Sequence, residues 1–249
     1  MSPGFGACFG RVTAVPAPGP AGIGRFGGVT KSRGRPRKST TSPTGRGAEQ
    51  DILHAAGELF VRHGFGRTST RAVAEAAGLQ QASVYHWFRS KEDVLLRLVL
   101  GTVLPSRRLA ERLLAADAPG HVTLWALCFA DTRLLLGDPQ NLGALYFAPE
   151  LRTEGFEEFH ENRDALERIY GTLLERTSGH PATAFDAAVV MGLVENVILQ
   201  RQRTDPRLPG DAAARIADAA LRLAEAPGRV TEETRSRALD LLERLDREG

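Results

Sequence analysis

Between Thr68 and Val94 the chain reads TSTRAVAEAAGLQQASVYHWFRSKEDV, and few architectures accommodate that order of residues. Ser69 suits an N-cap, its hydroxyl accepting from a backbone amide that has no partner inside the helix. Val73, Ala74 and Ala77 follow at helical spacing. Gly78 suits the left-handed residue that stops a helix, since it has no Cβ to clash. Leu79 fills the turn. Val84 and Phe88 bring a second short helix back to the core, which leaves Gln80, Gln81, Ser83 and His86 facing outward. Two short helices around a glycine turn, the second with a polar outer face, are the design of a helix-turn-helix that lays that face in the DNA major groove. Ser90-Lys91-Glu92-Asp93 then opens a third helix, with a serine cap and carboxylates where the helix dipole favours them. Lys91 stands where it can reach a phosphate beside the free amides.

The rest of the chain supports a small head on a larger body. A length of 249 residues is enough for both. The net charge of +2 conceals an asymmetry, since residues 1–50 carry eight Lys/Arg against the single acid Glu49. A basic leader on a mildly acidic remainder suits a polyanion held at one end. Residues 1–46 are rich in Gly, Pro, Ser and Thr and cannot bury enough surface to offset their ordering entropy, so disorder is expected there. Within them Arg33, Arg35 and Arg37 flank a Gly-Arg-Pro centre that resembles an AT-hook, an extended clip for the A·T minor groove. A solvated basic tail adding only salt-sensitive affinity is the alternative. The change of composition near Val29 predicts that translation starts there.

Ile52, Leu53, Ala56, Leu59 and Phe60 predict an amphipathic helix over 48–63, ended by Gly64. The helix from Ser90 is expected to reach Leu104 and to end or kink at Pro105, which lacks the amide a helix needs. The body then reads as helices over 106–116, 121–136, 140–148, 156–177, 182–202, 211–225 and 231–247, with Pro/Gly punctuation between most of them. The fold class is therefore all-α. The head is a three-helix helix-turn-helix domain over 47–104, and a helical effector-binding and dimerisation bundle occupies 105–249. Cys8 and Cys128 and six scattered His give neither a disulfide framework nor metal-ligand spacing. No cofactor and no metal are expected. No apolar run is long enough for a bilayer and the leader has no apolar core of a signal peptide, so the expected place is the cytoplasm, on the nucleoid. Nucleophile elbows, phosphate loops and paired carboxylates are missing from the sequence, which argues against an enzyme.

The residues Leu59-Phe60, Gly64-Phe65, Thr70-Arg71, Val73-Ala74, Ala77-Gly78, Ser83-Val84-Tyr85, Phe88, Lys91-Glu92 and Val94-Leu95 together resemble the TetR family of bacterial transcriptional regulators over about 47–98. The resemblance implies a homodimer, an operator of two half-sites in double-stranded DNA, and a small-molecule effector that moves the heads apart. It places Thr70 and Arg71 at the groove edge, Arg71 matching a position that reads a guanine in the family's namesake. Gln81 matches one that reads an adenine, with Ser69, Gln80 and Ser83 beside it. Tyr85 and Lys91 match phosphate contacts. His86-Trp87 stands in reverse order to the namesake, so Trp87 either donates its indole N–H to a phosphate or packs on the neighbouring helix.

In the body, Trp125, Phe129 and Arg133 lie four apart, and Tyr146, Phe159 and Tyr170 follow with Phe147, Phe156 and His160. These six aromatic and basic positions are the candidate effector site, with plain core as the alternative reading of each. An inward Arg133 would favour an anionic ligand, whereas an outward one would pair with Asp131 or Asp138. The helix at 182–202 is apolar almost all round, with Ala188 and Gly192 allowing close approach. With the helix at 211–225 it would build a four-helix dimer interface; a central helix of a monomeric bundle is the other reading. For function, a sequence-specific, ligand-responsive repressor leads, and an architectural DNA protein with little base specificity is the alternative.

Overall fold

The computed structural model describes residues 42–203 and 208–248. The leader's Arg33, Arg35 and Arg37 and the expected start at Val29 lie outside them. The described residues form α1 (Ala48–His63), α2 (Thr70–Ala76), α3 (Gln81–Trp87), α4 (Lys91–Ala115), α5 (Gly120–Gly137), α6 (Glu157–Ser178), α7 (Ala184–Arg201), α8 (Ala212–Leu223) and α9 (Glu232–Arg247). No strand occurs among them. No helix among them is long and apolar enough to cross a membrane.

The head follows its local chemistry. Gly64 and Gly78 both adopt positive φ, at 83° and 68°, and end α1 and the α2 turn as expected. The Ser69 and Ser90 hydroxyls accept from the amides of Ala72 and Asp93, each at 3.1 Å. Ile52, Phe60, Val73, Val84, Phe88 and Leu95 meet in one core, with Phe65 edge-on to Phe60 at 5.1 Å. Each such side chain contributes about 1.5–3 kcal/mol on burial, so tertiary packing, not helix propensity, holds the seven-residue helices α2 and α3.

Two expectations need correction. Pro105 does not end α4, which runs from Lys91 to Ala115. The amide it lacks would have bonded the carbonyl of Gly101, and both residues lie on the exposed side of the helix, where water can take that carbonyl. The stretch expected as a helix over 140–148 is instead a 3-10 helix, Leu142–Phe147, entered through Asn141 in the left-handed conformation. At the end of the segment expected to be disordered, Ser42 and Thr44 are tied to the buried Asp51 of α1 by hydroxyl and amide bonds of 2.6–2.8 Å.

In the body α5 is central and packs on α4, α6, α7, α8 and α9. At its C-terminal end the chain returns to the head. Gln140 donates through Nε2 to the His54 carbonyl of α1 at 2.8 Å, and Arg201 of α7 braces the same loop through the carbonyls of Leu135 and Asp138.

Candidate nucleic-acid interface

The outer face of the two short helices is a polar lattice. Gln81 Nε2 donates to Thr70 Oγ1 at 3.1 Å, and that hydroxyl lies 3.1 Å from the Tyr85 hydroxyl. These bonds join the start of α2 to the first and second turns of α3 and hold the two short helices together. Arg71 is exposed beside them and forms an i,i+4 pair with Glu75 at 2.9 Å. Exposed pairs of this kind are worth little, so the guanidinium is weakly held and can exchange its partner. Gln80 is half-buried, as is Ser83; Gln81, Tyr85 and His86 are exposed. Ser69 is occupied in capping α2. Trp87 is 48% exposed and meets only His86 edge-on among aromatic rings. About half of its surface is open to solvent, on the same outer side as Tyr85 and His86.

Lys91 is engaged within the head. Its ammonium donates to the carbonyls of Phe65 at 2.8 Å and Thr68 at 3.0 Å, and it sits 4.0 Å from the centroid of the Phe65 ring. Two of its three donors therefore fasten the α1–α2 turn to α4. The sequence carries no local sign of this, because the partners lie 23 and 26 residues away.

The six body candidates separate into different environments. Trp125 is fully buried and donates to Asp218 Oδ1 at 2.9 Å, while Arg235 grips the other oxygen at 2.6 Å, so α5, α8 and α9 are joined through one carboxylate. Phe129 is half-buried and stacks on Trp125 at 4.8 Å. Arg133 is exposed, 5.7 Å from the Phe129 ring centroid. It faces away from the interior and pairs with neither Asp131 nor Asp138. Successive steps of four advance about 40° around a helix, so a stripe that is buried at Trp125 has turned to solvent by Arg133.

Tyr146 and Phe159 do come together, and Tyr170 shares with Tyr146 the field of Asp131 and Glu195. Tyr146 lies 5.6 Å from Phe159 and donates to Thr102 Oγ1 at 2.8 Å. Tyr170, wholly buried, donates to Asp131 Oδ2 at 2.9 Å. Ser106 donates to the other Asp131 oxygen. Arg163, over the Tyr146 ring, forms a two-bond pair with Glu195 at 2.5 and 2.8 Å. Burial pushes the Asp131 carboxyl above its ordinary range, against the pull of Ser106 and Tyr170. Phe147 is exposed and Phe156 buried; the exposed His160 bonds the Leu151 carbonyl at 2.7 Å. Sequence reasoning missed Asp131 and Asp218 as organising residues. A lone acid on an otherwise apolar helical face was the available signal for both.

On α7 and α8 only one side is covered within the protomer. Val190, Met191, Val194 and Ile198 are buried, whereas Phe185, Ala188, Val189, Gly192 and Leu199 are exposed, and Leu223 of α8 is exposed as well. No described atom lies within 4 Å of the Cβ position at Gly192.

Residues 52–98 match the family model described as "Bacterial regulatory proteins, tetR family". The crystal structure of Mycobacterium smegmatis AmtR is similar to 80% of this chain over 96% of its own, at 36% identity and a TM-score of 0.72. The HTH-type transcriptional repressor KstR2 of Rhodococcus jostii strain RHA1 is 32% identical over 92 residues, 37% of this chain and 44% of that relative's length. The structure of AibR in complex with isovaleryl coenzyme A and operator DNA aligns over 73% of this chain and all of that one, with a TM-score of 0.60. At 16% identity that likeness is one of fold. An all-α chain with this head, matched along nearly the whole of one relative, belongs to the TetR family of DNA-binding, helix-turn-helix transcription regulators.

Proposed function

We propose that the chain is a homodimeric repressor that binds a palindromic operator in double-stranded DNA and releases it when a small molecule enters the body. The observation that carries this is the uncovered apolar face of α7 and α8, on a chain whose reading helix has only seven residues. One such helix contacts too few base pairs for specificity, and a two-fold pair of heads supplies two half-sites. The face runs through Phe185, Val189 and Leu199 with Leu223 beside it, which suits a second copy of the same surface.

In this reading Arg71 and Gln81 read base edges, with Thr70, Gln80 and Ser83 beside them, and Tyr85, His86 and Trp87 meet backbone phosphates. Lys91 acts by positioning the head. Residues 47–104 serve as the head and 105–249 as the effector and dimer body, with α4 shared between them. Arg33, Arg35 and Arg37 add an arm for the minor groove. Tyr146, Phe159 and Tyr170, gathered around Asp131 and the Arg163–Glu195 pair, are the proposed effector-sensing interior. The effector acts by linkage, lowering operator affinity by its preference for the state with misplaced heads. AibR, crystallised with a coenzyme A thioester and its operator, supports a body of this fold answering to a ligand. Such a regulator works in the cytoplasm, on the nucleoid.

The test compares two variants across a panel of operator sequences. Arg71→Ala removes discrimination at one base position, by about 1–3 kcal/mol. Tyr85→Phe weakens all sequences alike. If Arg71→Ala also weakens all sequences alike, the specific-reader account fails.

A further inference from the structure

At the end of α5 opposite the loop that touches α1, a cleft of about 630 Å³ opens between the start of α5, the end of α6 and the start of α9. Its volume is that of a small-metabolite site and far below what a duplex would need. Four basic side chains line it, His121, Arg176, Arg229 and Arg237, against one acid, Glu233. Little of that charge is neutralised. Arg229 forms no ion pair among the described residues, and Arg237 stands a loose 3.7 Å from Glu233. Arg176 spends one donor on the Leu114 carbonyl at 2.7 Å.

The cleft is held in shape by close backbone packing. A Cβ at Gly120 would lie 2.5 Å from the carbonyl carbon and oxygen of Arg176, so α5 and α6 meet there only because residue 120 is glycine. The first turn of α5 contains no acid, so no side chain there offsets the positive end of that helix. Thr234, almost fully buried, lies on the same wall, its hydroxyl 3.1 Å from that of Thr231.

We propose that this cleft binds a small dianion of the phosphate type, either free phosphate or the phosphoryl group of a metabolite. Guanidinium forks match phosphate oxygens in geometry and charge, and a concave wall of one sign concentrates such an anion. The groups around His121 agree. Burial lowers its proton affinity, the neighbouring Arg229 and Arg237 lower it further, and Glu233 opposes them. An incoming dianion reverses the electrostatic part, so binding takes up a proton at His121 and tightens as pH falls. The site is separate from the DNA-reading surface and does not depend on the proposed repressor role.

Calorimetric titration of the full chain at constant ionic strength tests this. Inorganic phosphate and glycerol 3-phosphate are the two probes, acetate is the monoanion control, and sulfate serves for the pH series because its charge is constant. Binding of phosphate or the ester is expected, the tighter of the two identifying the source. Arg229→Gln and Arg237→Gln each lower affinity by about tenfold, the loss of one charge-assisted contact. Both side chains are exposed, and an unchanged circular dichroism spectrum and Tm verify folding. Sulfate binding tightens from pH 8 towards pH 6 in the native chain and loses that dependence in His121→Ala. Equal affinity in the Arg variants, equal binding of acetate, or no binding of either phosphate probe overturns the proposal. Loss of operator binding in the Arg71 test would leave these outcomes untouched.

Discussion

Replacing Lys91 by methionine separates two uses of one cation. In the structure its ammonium donates to the Phe65 and Thr68 carbonyls and lies against the Phe65 ring. Hydrogen bonds to a charged group contribute about 1.5–3 kcal/mol each in protected sites. Partial exposure discounts that, leaving about 2 kcal/mol for the two bonds and the ring contact together. For a chain of this size that corresponds to a fall in Tm of about 4–8 °C. Methionine keeps most of the aliphatic packing and deletes the charge together with its N–H donors. Two readings are needed, thermal unfolding of the free protein and the salt dependence of operator binding. The positioning role predicts a lowered Tm without DNA, weaker binding to every sequence, and an unchanged slope of log K against log salt. A phosphate contact predicts the reverse, with Tm unchanged and the slope reduced by about 0.9 per dimer half-site. That second pattern would refute the assignment of Lys91 to the α1–α2 turn.

Three further outcomes follow from the packing. Burial works against the Asp218 carboxylate, but the bonds from Arg235 and Trp125 outweigh it and hold its carboxyl below the ordinary range. Its contribution is therefore present above its unfolded value and lost as pH falls through the folded one. Asp218→Asn should cost about 2 kcal/mol at neutral pH, and the gap to the native protein in urea unfolding should close below about pH 4; a gap independent of pH would contradict the pairing. Gly120→Ala drives a methyl into the Arg176 backbone and should destabilise by about 2 kcal/mol, whereas Gly101→Ala, with no described atom within 4 Å of its Cβ position, should stabilise by about 0.5–1 kcal/mol. Equal effects in thermal melts would show that the close approach is unimportant. Val189→Glu should convert the dimer to monomer in sedimentation at micromolar concentration; a persisting dimer would place the interface elsewhere.

The head was readable because its signals are local. Ser69, Ser90, Gly64 and Gly78 act on amides within a few residues of themselves, and the apolar spacing of α1 needs no knowledge of its neighbours. That α4 continues past Pro105 is not legible in the sequence, because it depends on which side the proline faces, and the exposure of Gly101 one turn earlier is a tertiary fact. The sequence leaves the direction of Arg133 open because spacing by four drifts around the helix, so a shared stripe over two turns does not mean a shared face. The Lys91 bonds and the Gln140–His54 link between body and head join residues too distant for any pattern to reveal. The apolar character of α7 was plain in the sequence, but only the structure shows which side remains uncovered.

Selection of bound sequences from a random DNA pool at near-physiological salt tests the central claim most directly. The account predicts one enriched inverted repeat with fixed half-site spacing, weakened at a single symmetric position when Arg71 is replaced by alanine. Enrichment of A·T-rich DNA without a repeat, or no enrichment at all, would contradict it.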